Sequence, residues 1–326
     1  MTLVAATDET IVRAAEILKK GGIVAMPTET VYGLAGNALD GRAVARIFEA
    51  KGRPQFNPLI SHFADKADVA LHVVMDARGE ALAQAFWPGP MTLILKRRAE
   101  SGISELATAG LDTVAVRVPA HPVAQKLIKL CGFPLVAPSA NASGTISPTA
   151  PAHVAESLGD KADMILAAGA CSVGLESTVV DLSDGVPVIL RPGAVTAEDI
   201  SRVLGEDVAY ESGDAAKPKS PGLLLKHYAP SIPLRLNAID LNPGEALLGF
   251  GSIRFMGVKG GGAAMNLSDS MRRNLSDEGD LHAAAANLFR MMRELDRPEY
   301  QGIAVMPIPD VGLGIAINDR LKRAAS

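Results

Sequence analysis

The sequence predicts an α/β protein in two parts, a large mixed sheet covered by helices followed by a smaller β/α unit. Three observations carry this. Short apolar runs alternate with helical patterns over the first two thirds of the chain, the alternation dissolves after Gly205, and a second β/α pattern begins beyond residue 232. At 326 residues the chain is long for one domain, and its 48% apolar residues are enough for two cores.

Taken in order, Asp8 is placed to cap a first helix. Ile11, Val12, Ala15 and Leu18 keep a helical period there, and Lys19, Lys20, Gly21 and Gly22 supply the stop. "GIVAM" (22–26) follows as a buried strand. Asp40 can cap a second helix through Val44, Ile47 and Phe48 that ends near Gly52, so the stiff, donor-rich stretch "AKGRPQFNPLISH" (50–62) begins at a helix C-terminus. Further strands are expected at "MTLIL" (91–95), "TVAVRV" (113–118), "PLVAP" (134–138), "MILAA" (164–168), "STVVDL" (177–182) and "PVILR" (187–191). Helical patterns near 76–86, 121–131, 151–158 and 196–204 separate some of them, which points to a mixed sheet. Residues 206–232 lose apolar periodicity and gather Gly, Pro, Ser and charge, the signature of a linker. "EALLGFGS" (245–252), a helix near 281–295, "GIAVMPIP" and a last helix through "NDRLKR" complete a unit over 233–326, against 1–205 for the first.

Composition narrows the function classes. A net charge of −4 and a pI near 5.9 give no general attraction for a polyanion, so any contact with tRNA or other nucleic acid is expected to be local and transient. Cys131 and Cys171 form neither a C-x-x-C nor a zinc spacing with the six histidines, a pattern suited to a reducing cytosol. No basic region precedes an apolar stretch at the N-terminus, and no apolar run reaches the roughly 18 residues of a span. The expectation is a cytoplasmic protein without a membrane segment.

Polar clusters sit just past the expected strands: "MPTETVYG", "RVPAHP", "APSANASGTISP" and "RPGAV". Proline pre-orders such loops and lowers the entropy lost on ligand binding. Each alone is ordinary turn chemistry, but four together point to one shared site. Lys51, Arg53, Arg117 and Arg191 can supply cations to it, although a solvated side chain is the usual fate of each taken singly. Arg117 lies inside the apolar run "VAVRVP", where a guanidinium should meet a carboxylate or phosphate in bidentate geometry. Thr28, Thr30, Ser139, Asn141, Ser143, Ser147, Ser177 and Thr178 add neutral donors for phosphate or carboxylate oxygens. His62 reads either as a structural histidine or as a substrate contact. Glu29 and Glu176 are the nearest carboxylates, each a salt-bridge partner or an aid to a magnesium ion held mainly by substrate phosphates. No G-x-S-x-G elbow is present, so covalent catalysis has little support. "GLGIAI" (312–317) and "GVKGGG" (257–262) lack the spacing of a dinucleotide fingerprint and read as tight turns.

In order, "MPTETVYGLAGNA", "KGRPQFNPL", "FWPGPMTLIL", "VAVRVPAHP", "LVAPSANASG", "GLESTVVDL" and "ILRPGAV" resemble the YrdC-like domain of the L-threonylcarbamoyladenylate synthases, over about residues 10–205. "SPGLLLKHYAP" and the β/α unit after it resemble the long, two-domain form. The resemblance implies a YrdC-like twisted mixed sheet with helices around a concave cleft, and a small Rossmann-like C-terminal domain. It implies that L-threonine, bicarbonate or CO2 and ATP give L-threonylcarbamoyl-AMP and pyrophosphate. A downstream tRNA threonylcarbamoyltransferase complex would then use the product at adenosine 37 of tRNAs. The cofactor implied is Mg2+ bound through the ATP phosphates, with no protein metal site. Carried over by position, Lys51, Arg53 and Asn57 would hold the phosphates, Lys51 and Arg53 bearing the catalytic weight. Thr113, Ser139, Ser147 and Arg191 would complete the nucleotide site. Thr30, His62, Arg117, the backbone at Ala137 and Ser177 would hold threonine, Arg117 taking its carboxylate. Tyr228, in "KHYAP", would belong to a lid over the bound nucleotide.

Two other readings compete. One is carbamoyl transfer, as in the hydrogenase-maturation carbamoyltransferases, whose zinc-finger cysteines find no counterpart here. The other is a non-catalytic RNA-binding or ribosome-maturation protein, which the acidic charge and 4% aromatic content disfavour.

Overall fold

The computed structural model describes residues 2–211, 227–254 and 256–326. Within these, residues 2–143, 147–172 and 176–211 form a larger unit, and 144–146, 173–175 and 227–326 a smaller one.

The larger unit is built on a 12-stranded sheet. Its strands are β1 (Thr2–Ala5), β2 (Val24–Met26), β3 (Gly33–Asn37), β4 (Ile60–His62), β5 (Val73–Val74), β6 (Met91–Arg97), β7 (Thr113–Arg117), β8 (Leu135–Val136), β9 (Met164–Ala167), β10 (Thr178–Asp181), β11 (Val188–Arg191) and β12 (Ala209–Tyr210). They lie in the order β1-β9-β2-β3-β8-β4-β7-β6-β10-β11-β12, with β5 paired to β6. Pairing is mixed: β4 runs parallel to β7 and β6 parallel to β10, whereas β6 with β7 and β10 with β11 are antiparallel.

Alternation along β2 shows how both faces are covered. Val24 and Met26 join a core with Leu18 and Leu127, while Ile23 and Ala25 join a second core with Ile47 and Phe48. The helices responsible are α1 (Asp8–Lys19) and Pro122–Cys131 on the first side and α2 (Gly41–Lys51) on the second. The cap of α1 is Thr7 rather than Asp8. Thr7 is extended, its side chain accepts from the Thr10 N–H, and the Thr10 side chain returns the bond to the Thr7 N–H. Asp8 falls in the first turn, where its charge favours the helix dipole without capping. α2 begins at Asp40, which accepts from the Arg42 N–H, and stops at a left-handed Gly52 as its sequence predicts.

Five strands of this unit were not expected from the sequence: β1, β3, β4, β5 and β12. Glycines conceal β3, yet both are packing positions. A Cβ on Gly33 would come within 3.0 Å of the Ala137 Cβ, and one on Gly36 within 2.8 Å of Ile47. β12 falls inside the segment expected as linker and pairs with β11. Residues 212–226 of that segment lie outside the described residues.

In the smaller unit four parallel strands lie in the order Leu234–Arg235, Gly302–Val305, Glu245–Gly249, Arg272–Asn274. Helices Leu281–Leu295 and Leu313–Ala324 accompany them, burying Leu288, Phe289 and Ile317. The "GLGIAI" glycines serve the last helix: Gly312 precedes it with φ 51°, and Gly314 lies against the Pro309 carbonyl, 1.9 Å from where its Cβ would be. Gly260, Gly261 and Gly262 all have positive φ, in keeping with a tight turn. No helix among the described residues is long and apolar enough to cross a membrane.

Candidate active site

Sheet register gathers the polar residues on one face. Ile60 pairs with Ala115 and His62 with Arg117, while Ala115 also pairs with Ile94 across β6. Because side chains alternate, Thr92, Thr113 and Arg117 share the face of Ala115. Ile60, Ile94, Ala115, Val179 and Leu190 form its small apolar floor.

At one end of that floor stands Arg117. Its Nε donates to the Gly89 carbonyl at 3.2 Å and its Nη2 to Glu29 Oε1 at 2.5 Å. The sequence led us to expect a bidentate partner. The protein's own Glu29 fills that place through a single nitrogen, because Nε is turned to Gly89. Glu29 Oε2 accepts from the Ala120 N–H at 3.1 Å, so both carboxylate oxygens are held. Burial works to raise the Glu29 carboxyl, but the Arg117 charge, its hydrogen bond and the backbone donors hold it below its usual value. Nη1 of Arg117 has no partner among the described residues.

Beside Arg117, His62 is 2% exposed, with Nδ1 3.2 Å from the Ile60 carbonyl. Burial, reinforced by the Arg117 charge, pushes it down to about 3, so the imidazole is neutral at ordinary pH. The threonines of "MPTETVYG" have fixed hydrogen positions. Thr28 Oγ1 donates to the Val31 carbonyl at 2.6 Å, so in the 2.8 Å contact between the Thr28 and Thr30 hydroxyls Thr30 must be the donor. Thr30 therefore offers a ligand only an acceptor.

A second cation group lies at the end of α2. Lys51 is 3% exposed, and its Nζ donates to the carbonyls of Ser139 at 2.5 Å and Asn141 at 2.6 Å. Burial first, then the neighbouring Arg53 charge, brings its ammonium well below the usual lysine value, with Glu176 opposing. Arg53 donates to the carbonyls of Asn57 at 3.2 Å and Pro58 at 3.0 Å, and the buried Asn57 Oδ1 has no partner among the described residues. Ser147 Oγ donates to Glu176 Oε1 at 2.5 Å. One residue on, Ser177 Oγ is 2.7 Å from the Thr92 hydroxyl, and its carbonyl accepts from Arg191 Nε at 3.1 Å and Nη2 at 3.0 Å.

Hydrogen bonds thus join Lys51 to Ser139, Ser147 to Glu176 and Ser177 to Arg191, with Arg53 and Glu176 close enough to act on the Lys51 charge; Arg117 is bonded to Glu29 and paired across the strands with His62. Ala137 is buried beside them, its N–H given to the Ile60 carbonyl at 3.2 Å. Thr113 stands apart, half-buried at the start of β7, about 13 Å along the strand from Arg117. Tyr228 belongs to the smaller unit, fully buried with its ring 5.4 Å from Phe289 and 4.0 Å from His227. Sequence reasoning missed Thr92 and the pairing of Glu29 with Arg117. A polar residue in the middle of "MTLIL" was the signal for the first, while nothing local marks a partner 88 residues away.

Such an arrangement is suited to positioning and neutralising anions, and among the described residues it presents no activated nucleophile. Cys171, beside Thr28 and Glu29, is raised to about 12 by burial.

Residues 16–193 match a family model described as telomere recombination, and residues 195–326 match the threonylcarbamoyl-AMP synthase C-terminal domain. The threonylcarbamoyl-AMP synthase of Pyrococcus abyssi is 41% identical over 329 residues, covering 96% of this chain and 93% of that protein.

The chain belongs to the threonylcarbamoyl-AMP synthase family.

The Bacillus subtilis synthase is 39% identical, with 98% of this chain and 93% of the relative covered. Among solved structures, Sua5 of P. abyssi complexed with L-threonine superposes with a TM-score of 0.86 at 37% identity, covering 99% of this chain and 96% of that one. The family's mixed α/β fold and its C-terminal domain are both present in this threonylcarbamoyl-AMP synthase.

Proposed function

We propose that this threonylcarbamoyl-AMP synthase divides its cleft into a carboxylate-binding end at Arg117 and a phosphate-binding end at Lys51 and Arg53. The observation that carries the division is the difference in the partners of these buried cations. Arg117 is ion-paired with Glu29 through Nη2 and leaves Nη1 to receive a ligand carboxylate. Lys51 donates to two carbonyls, and the Arg53 charge stands close enough to lower its ammonium, a concentration of positive charge that suits a polyphosphate.

L-threonine then lies with its carboxylate on Arg117 and a donor group on Thr30, beside neutral His62 and Ser177. Its amine combines with bicarbonate, losing water, to give a carbamate. A carbamate oxygen attacks the α-phosphorus of ATP, the bond to the bridging oxygen breaks, and pyrophosphate leaves with the electron pair. No side chain need become covalently attached, because alignment and charge neutralisation lower the barrier. Asn57, Ser139, Ser147 and Arg191 complete the nucleotide end in this reading, and Thr113 would serve it only from farther along the same sheet face. The donor set, with Glu176 the carboxylate beside Lys51, fits a magnesium ion carried mainly by the phosphates, which would neutralise charge on the leaving pyrophosphate. The adenylate is a mixed anhydride that a separate tRNA threonylcarbamoyltransferase complex would consume at adenosine 37, in the cytoplasm. With a net charge of −4, contact with tRNA itself would be transient at most.

The test is pyrophosphate release from ATP, with threonine and bicarbonate omitted in turn and 13C-bicarbonate supplied in a parallel run. Release requiring both, with one added mass unit in the product, supports the reading. Release that persists without either substrate contradicts it.

A further inference from the structure

The smaller unit has a cavity of about 670 Å³, of a size suited to a small molecule. It opens where two neighbouring parallel strands end: Gly249 pairs with Asn274, and the chain leaves both strands there. In open α/β sheets the carboxyl ends of parallel strands are where ligands gather. "GFGS" (249–252) forms the turn that leaves the first strand.

The glycines of that turn have separate reasons. A Cβ on Gly249 would come within 2.8 Å of the Ile253 side chain, which packs directly over that position. Gly251 has φ 68° and open space where a side chain would be. The turn is anchored from below: Gly251 donates to the Ser276 carbonyl at 2.7 Å and accepts from Asn274 Nδ2 at 2.8 Å. Beyond it the N–H groups of Ser252, Ile253 and Arg254 meet no acceptor among the described residues. Consecutive backbone N–H groups after a left-handed residue are a common anion cradle.

Charge around the cavity agrees. Arg254, Arg272 and Arg273 line it against one acid, Asp277. Arg272 is held by Asp269 at 2.8 Å and Arg273 by Glu294, and Asp277 accepts from Asn274 Nδ2 at 2.5 Å. Arg254 is exposed and has no ion pair among the described residues. Ile253 and Met265, the latter 47% exposed, add apolar surface to the same lining.

We propose that the cavity at Gly251, Ser252, Arg254 and Asn274 binds a phosphorylated ligand of mononucleotide size, separately from the reaction in the larger unit. The phosphate takes the free N–H groups and Arg254, and Ile253 and Met265 contact the apolar part of the ligand. This site does not depend on the substrate assignments made for the larger unit.

Backbone amide NMR on the full chain tests it, with AMP, inorganic phosphate and adenosine as separate probes. Saturable shifts at Ser252, Ile253, Arg254 and Asn274 with AMP and phosphate, but not adenosine, are expected. Arg254→Glu should weaken that AMP response about tenfold or more while leaving threonine-dependent pyrophosphate release unchanged. Shifts confined to the larger unit, equal shifts with adenosine, or an unaltered response in Arg254→Glu would overturn the proposal.

Discussion

Arg117 Nη2 lies 2.5 Å from Glu29 Oε1, and the two side chains are only 4% and 10% exposed. Breaking an enclosed pair strands the remaining charge, so Glu29→Ala is expected to cost about 3–5 kcal/mol of stability. Glu29→Gln should cost less, since its amide oxygen can still accept from Arg117. Urea unfolding followed by Trp87, the sole tryptophan, reports on the larger unit. A loss for Glu29→Ala no greater than the ~1 kcal/mol of an exposed pair would contradict the enclosure.

His62 gives a pH dependence with a definite sign. Unfolded, it takes a proton below its ordinary 6.5; folded, it resists until about 3. The unfolded state therefore binds more protons between those values, and stability falls as pH falls through that window. By about pH 5 the loss should reach roughly 2 kcal/mol, and His62→Gln should remove it. Glu29, with its folded pKa below 4.5, adds its own loss only in more acid solution. Urea midpoints of both proteins at neutral and mildly acid pH make the comparison, and parallel slopes would count against a neutral buried His62.

Gly193, in "RPGAV", has no space for a methyl group. A Cβ there would come within 2.4 Å of the Thr178 backbone nitrogen and 2.8 Å of the Glu176 carbonyl. Neither backbone atom moves cheaply, so Gly193→Ala should cost about 1–3 kcal/mol or more and slow pyrophosphate release by displacing Ser177 and Arg191. Gly185 has nothing within 4 Å of its Cβ position, and Gly185→Ala should change stability by no more than about 0.5 kcal/mol. Equal effects at the two positions in thermal melts and turnover assays would argue against the packing account.

Apolar runs such as "VAVRV" and "STVVDL" were legible as strands because burial on both faces demands continuous hydrophobicity. Gly33 and Gly36 hid β3, since close approach of Ala137 and Ile47 selects a residue that strand propensity disfavours. β4 was hidden by its three-residue length behind a proline-rich loop. At the site, the cations were visible as charges inside apolar strands or proline-bound loops, and their division between substrates came from family resemblance. What the sequence could not show was non-local: the Glu29 partner of Arg117 and the carbonyl pair that holds Lys51. Each depends on residues brought together only by the sheet order.

The division of the cleft is tested most directly by steady-state kinetics of two variants, each with both substrates varied. Arg117→Ala should raise the threonine KM by about 10- to 100-fold, the worth of a charge-assisted pair, with the ATP KM little changed. Lys51→Met should do the reverse, raising the ATP KM while threonine dependence holds. If both variants instead raise the two KM values together, or if Arg117→Ala leaves threonine untouched, the assignment of Arg117 to the carboxylate and Lys51 to the phosphates is wrong.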